Sequence, residues 1–424
     1  MQGWHRSTSG IDRPLPRHSP CDRYPSPVRP SPSPDIGRDA WPSYAAIAAV
    51  GYVVYGVGAV APYLRDQLGL SDAQVGLHSS AMAVGLVLSG VIAAALDRRF
   101  GEISVRGAGI GTLAVAVVVL ALGPALAATL GAALLVGLGA GTLLGYANAL
   151  LGRPGGRLAR LRLSRANVWA MVSAFVCPVV LAAASGAGLP WGFGLVPALG
   201  LLVIVGLDLR AGPRLVRTSG TSDTARLPTA FWLVWVFLVS VIAVEFSIVF
   251  WGATVIQRQT GVATEAATLL GGLFLGGMFV GRLGQSLGLG TTGDIRRSAA
   301  IGIVLAGTGA TIAWVSTSAP LSGGALFLAG LGVAGLYPLG VAAALAAAPG
   351  RLTLAGTRLT LASGTAILVA PLALGAAADA VGVPLAWGLV VVLSLVALGL
   401  VAVLPASIPA DTADEATTVA PSIG

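Results

Sequence analysis

The chain contains no lysine. That absence excludes a Gly-x4-Gly-Lys-Ser/Thr phosphate loop, and with it an ATP-driven pump built on this chain alone. Cysteine is nearly missing as well. Cys21 falls in a polar tail and Cys177 in an apolar run, so no disulfide framework is expected. The three histidines, His5, His18 and His78, show no ligand spacing, so neither a metal site nor any other cofactor is expected. Charge is the scarcest property of all. Only 10% of the 424 residues are charged, against about 25% in soluble domains. A soluble protein is excluded.

What fills the chain instead is apolar sequence, 55% of all residues, in runs long enough to cross a bilayer. Twelve such runs are predicted, at about 42–64, 72–96, 105–123, 125–150, 164–186, 191–210, 229–257, 265–289, 297–316, 321–348, 357–378 and 383–405. Before them, residues 1–40 are rich in Pro, Arg and Ser and cannot bury a core, which predicts a disordered cytoplasmic tail. The expected organisation is that tail, a first bundle over 41–210, a polar linker over 211–228, a second bundle over 229–405 and a short cytoplasmic tail over 406–424.

The net charge of +8 is carried entirely by arginine, placed in the short breaks between apolar runs. This is the pattern of a topology signal, and nucleic acid is not expected as a partner. If the first tail is inside, 22 of the 25 arginines lie on the inner side; Arg65 and Arg258 fall outside and Arg282 within a run. Both termini are therefore expected in the cytoplasm of a multi-pass plasma-membrane protein.

The two halves repeat. At shifts of 191 to 194 residues, Gly85, Gly90, Arg106 and Gly111 meet Gly276, Gly281, Arg297 and Gly302. Gly137-Leu138-Gly139 meets Gly330-Leu331-Gly332, and Arg165…Pro178 meets Arg358…Pro371. Ser71-Asp72 and Thr264-Glu265 correspond too, both suited to a helix N-terminus. Two six-helix bundles of like topology follow, related by an axis along the membrane normal.

Twelve spans as six plus six, with the central break inside, resemble the major facilitator superfamily of secondary transporters. Its loop between spans two and three usually reads Gly-x-x-x-Asp-Arg-x-Gly-Arg/Lys. The chain has Ala93-x-x-x-Asp97-Arg98-Arg99-Phe100-Gly101-Glu102, which keeps Asp-Arg-x-x-Gly but lacks the leading glycine and the trailing basic residue. The resemblance implies an all-α fold in which Asp97, Arg98 and Gly101 belong to a cytoplasmic latch. It also implies that spans one, four, seven and ten line a central cavity. That makes Tyr52, Tyr55, Tyr146, Asn148, Glu245, Trp251 and Tyr337 the candidate lining residues.

Glu245 carries the sharpest chemical demand. It sits near the middle of an apolar run, where a carboxylate needs a partner, a proton or water. Counting from the outer ends of their helices puts Glu245 at roughly 20 Å and Arg282 at roughly 25 Å depth. The two are therefore candidates for a pair, either fixed or broken by protonation. Pro178 and Pro371 are candidate hinges, with a static kink as the plainer alternative. His78 reads as a hydrated interface histidine, and Asp379 as solvated at a span end.

The function expected from these readings is alternating-access transport of a small organic solute by a monomer in the lipid bilayer. Proton antiport and efflux are expected, with Glu245 as the protonatable site. The drug-exporter signature is not matched by Cys177-Pro178-Val179-Val180. Sugar or metabolite uptake, by symport or facilitated diffusion, is the nearest rival, and a non-transporting receptor or scaffold is the rival of another class. An enzyme is not expected, because no second acid, nucleophile or metal cluster accompanies Glu245.

Overall fold

The computed structural model describes residues 40–153, 155–209, 226–288, 294–349 and 351–405; the tails and most of the linker fall outside them. Every regular element among the described residues is helical. The first span is α1 (Trp41–Ala59) and α2 (Ala61–Leu68), parted at Val60. Then follow α3 (Asp72–Phe100), α4 (Glu102–Leu122), α5 (Leu126–Gly152) and α6 (Gly156–Gly186), with α7 (Val196–Leu207) after a 3-10 turn. The second half holds α8 (Thr229–Thr260), α9 (Thr264–Ser286) and α10 (Ile295–Val315). It ends with α11 (Ala319–Val333), α12 (Leu336–Ala346), α13 (Leu352–Val381), α14 (Val383–Ala386) and α15 (Gly388–Leu400). Eleven of these helical stretches are long and apolar enough to cross a membrane, and Trp191–Leu207 is a shorter twelfth.

The helix breaks have a local cause. A proline has no N–H to return to the carbonyl four residues back. Pro338 withholds that bond from Ala334, where α11 ends and α12 begins, and Pro62 does the same near the α1–α2 junction. Pro178 and Pro371 behave differently: α6 and α13 run through them without interruption.

The repeat seen in the sequence is a repeat of helix crossings. A Cβ on Gly137 would collide with the Met82 carbonyl, and one on Gly85 with that of Leu134, so α3 and α5 meet backbone to backbone. The equivalent crossing of α9 and α11 uses Gly277 against Phe327 and Gly330 against Phe274. Gly109 and Gly139 seat α4 on α5, and Gly302 and Gly332 seat α10 on α11 in the same way. Inside a bilayer no hydrophobic effect pulls helices together, so contact this close is what supplies dispersion energy.

The two bundles meet along α3 with α13, α6 with α9, and α1 with α8. Glycine again sets the approach: a Cβ on Gly76 would lie 2.8 Å from Leu372 Cα and 2.9 Å from Pro371 O. Across the molecule, one on Gly272 would lie 2.6 Å from the Pro178 ring. The arginine-poor end is also tied by polar groups. Asp379 of α13 accepts from the Asp72 and Ala73 N–H groups at 2.8 and 3.0 Å, so this carboxylate, exposed to solvent as expected at a span end, also caps the first turn of α3. Ser71 completes that terminus as a capping box with Gln74, as its sequence suggests. Thr264 departs from the symmetry. Its hydroxyl caps nothing and donates to Asp66 of the opposite bundle at 3.2 Å.

Candidate functional site

Glu245 is the seventeenth residue of the 32-residue α8 and only 4% exposed. Desolvating a carboxylate this fully requires a hydrogen-bond donor. Tyr55 of α1 supplies one: its hydroxyl donates to Glu245 Oε1 at 2.7 Å. The same ring stacks on Phe246, with centroids 5.8 Å apart. The bond crosses the boundary between the bundles, because α1 belongs to the first and α8 to the second.

Arg282, near the end of α9, is the cation of this region. Its charge acts on Glu245, Tyr55 and Tyr337. No ion pair within 4.0 Å joins it to Glu245, however, so the direct pair considered from the sequence is not formed in this structure. Its Nη1 instead donates to Asn167 Oδ1 of α6, over a long 3.5 Å. Its Nε is buried and has no acceptor. Glu245 and Arg282 thus share one electrostatic neighbourhood while each bonds to a residue of the other bundle.

Of the other candidates, Tyr337 comes into this neighbourhood at the start of α12. Tyr52 does not: it is 1% exposed and its hydroxyl donates to the Gly194 carbonyl within its own bundle, at 2.5 Å. Trp251 is fully buried and its indole donates to Pro371 O at 3.0 Å, joining α8 to α13. Tyr146 and Asn148 lie in the last two turns of α5, half-buried and buried respectively.

Asp97 and Arg98 sit in the last turn of α3, Arg98 exposed and Asp97 partly so. Gly101 joins α3 to α4 at φ 80°, a conformation that explains glycine in this motif without any ligand. His78 is not at the water interface. It is 3% exposed, with Nε2 3.0 Å from the Thr129 hydroxyl and Nδ1 3.0 Å from the Gln74 carbonyl. Two residues were missed. Asn167 lies in the fifth span, outside the four spans taken to line the cavity. Phe246 offered no polar signal at all, although its position beside Glu245 was open to a stacking reading.

The sequence profile described as Major Facilitator Superfamily matches residues 44–293, more than half of the chain. The chain belongs to that superfamily. Solved structures agree in fold: a bacterial homologue of the human lysosomal transporter Spinster, inward-facing and occupied, is 16% identical with a TM-score of 0.63, covering 85% of this chain and 94% of that one. The same homologue, inward-facing and unoccupied, is 15% identical with a TM-score of 0.60 over 90% and 97%. A point mutant of the nucleoside transporter NupG is 13% identical with a TM-score of 0.68 over 86% and 99%. No curated protein matches the sequence. Superfamily membership makes this chain a multi-pass membrane protein and a secondary transporter of a small solute.

Proposed function

We propose that this transporter couples solute movement to protons through Glu245, with the arginine-rich end facing the cytoplasm of the cell that holds it in its plasma membrane. The observation that carries the reading is the Tyr55–Glu245 hydrogen bond, a buried link at 2.7 Å between the two bundles. Alternating access moves the bundles against each other, so a group that joins them at mid-span feels that motion. Protonation removes the charge of Glu245 and changes both this bond and the balance with Arg282, which biases the two arrangements differently.

The sequence suggested export by antiport, but no group at the site favours that direction. Arg282 favours co-transport. With Glu245 protonated, its positive charge stands alone where the solute binds, so proton and solute bind together rather than in competition. Proteoliposomes with an imposed proton gradient and a panel of radiolabelled acids, sugars and nucleosides test this. The wild type should accumulate a solute down the proton gradient, and Glu245→Gln should retain solute exchange without accumulation. Accumulation by the variant at the wild-type level would sink the coupling role, and accumulation against the direction of proton flow would restore antiport.

A further inference from the structure

We propose that Arg282, held in place by Asn167, is the docking point for the carboxylate of a small, singly charged organic acid, and that this acid is the transported solute. The inference rests on the proton-coupling reading of Glu245 for its charge balance, but its geometry stands apart from that reading. A guanidinium in a membrane-spanning helix normally finds an anion. Arg282 has none: the acid its charge acts on is Glu245, which is not in ion-pair contact and directs Oε1 to Tyr55.

The guanidinium is nevertheless oriented. Nη1 is engaged by Asn167 from the opposite bundle, while Nε is buried with no acceptor. A buried donor left unmet is rare in a native protein and calls for a partner. The edge left without a protein acceptor is the one formed by Nε and Nη2. Two parallel N–H groups at that edge match the two oxygens of a carboxylate, and a lysine would not reproduce the fork.

Charge decides the class of acid. The groups facing Glu245 are Tyr55 on α1, Arg282 on α9 and, across the break before α12, Tyr337; only one of these is a cation. When Glu245 is ionised, it balances Arg282 at a distance and the site is neutral without solute. When Glu245 is protonated, one negative charge is wanted, which a monocarboxylate supplies. A phosphate dianion would leave an uncompensated charge in the membrane. Carboxylate binding should therefore tighten as the pH falls towards the range that protonates Glu245, until the solute itself becomes protonated.

The test uses the purified full-length protein and thermal unfolding with benzoate, acetate, their amides and inorganic phosphate as probes. At mildly acidic pH one or both carboxylates should stabilise the protein, more than at neutral pH, while benzamide, acetamide and phosphate should not. Arg282→Gln and Arg282→Lys should each lose about tenfold or more in carboxylate affinity, the scale of losing a charge-assisted fork. If the glutamine variant does not fold, Asn167→Ala takes its place and should also weaken binding. Glu245→Gln should keep carboxylate affinity and lose its pH dependence.

Equal stabilisation by the amides, stronger stabilisation by phosphate, none by either carboxylate, or undiminished affinity in the Arg282 variants would each overturn the proposal. Carboxylate binding that keeps all these features, beside a Glu245→Gln variant that still accumulates solute, would remove the coupling role alone and leave the anion site standing.

Discussion

Two polar clusters cross the boundary between the bundles, and they are built on opposite plans. At the arginine-poor end the ties are many and mostly short. Asp379 caps α3, Arg65 donates to Gln257 at 2.7 Å, Thr264 reaches Asp66, and Ser185 donates to Glu265 at 2.7 Å. Deeper in the span the ties among the described residues are fewer: Tyr55 to Glu245 at 2.7 Å, Ser80 to the Leu368 carbonyl at 2.6 Å and, towards the far end of α9, Arg282 to Asn167 at 3.5 Å, with an unmet Nε beside it. The difference follows from water. Near the membrane surface a broken bond is replaced by solvent, so an end is closed safely only by several weak ties. In the middle no solvent substitutes, so a single change of charge weighs more, and a donor left unmet there is a costly one.

The comparison breaks most decisively at Gly76. A valine there would place Cβ against the backbone of Leu372 and Pro371, atoms that cannot turn aside. Overpacking of this kind costs about 1–3 kcal/mol, enough to move an equilibrium by about tenfold or more. Spin labels at the exposed Leu189 and Leu385, in a background freed of Cys21 and Cys177, report the opening of this end. Gly76→Val should shift their distance distribution towards a longer separation. An unchanged distribution would mean that polar ties, not close helix approach, hold the end shut.

Tyr55→Phe tests the other cluster. It keeps the ring on Phe246 and removes only the hydroxyl that serves Glu245. Leaving a buried charged group without its donor costs about 1–3 kcal/mol, so proton-driven accumulation should fall about tenfold while the spin-label separation stays put. A change in separation without a change in accumulation would reverse the roles assigned to the two clusters. A smaller effect is expected from Asp379→Ala, where the loss of a helix cap costs about 1 kcal/mol. The separation should then shift by about fivefold in population, with accumulation still driven by protons.

The fold was largely legible because its determinants are local or periodic. Apolar runs give the spans, and glycines at a constant shift give the crossings, since a missing Cβ in both halves marks the same backbone contact. Residue partners were much less legible. Glu245 could be recognised as costly, yet depth along two neighbouring helices pointed to Arg282, whereas its donor comes from α1, 190 positions earlier. Depth is a one-dimensional quantity and says nothing about which way a side chain turns. Tyr52 shows the same limit: it is the repeat counterpart of Glu245, but its hydroxyl turns into its own bundle. His78 was misjudged for a related reason. Distance from a span end does not tell whether an opposing helix stands where water was assumed.

The smallest effect is expected at Arg258, and it is the most exacting for the comparison. Its guanidinium stands 3.9 Å from Asp72 Oδ1, with the arginine side chain 48% exposed and the aspartate 9%. Surface pairs of this kind contribute about 0–1 kcal/mol. Arg258→Gln should therefore change the population of the open end by less than about threefold, an effect that added salt should reproduce in the wild type. The Asp72 backbone N–H would still be held by Asp379, and Arg65 would still reach Gln257. A tenfold opening would show that this one pair governs the end of the molecule. The arginine-poor cluster would then depend on a single charge, as the mid-span site does, and the distinction between a redundant closure and a sparse working centre would fail.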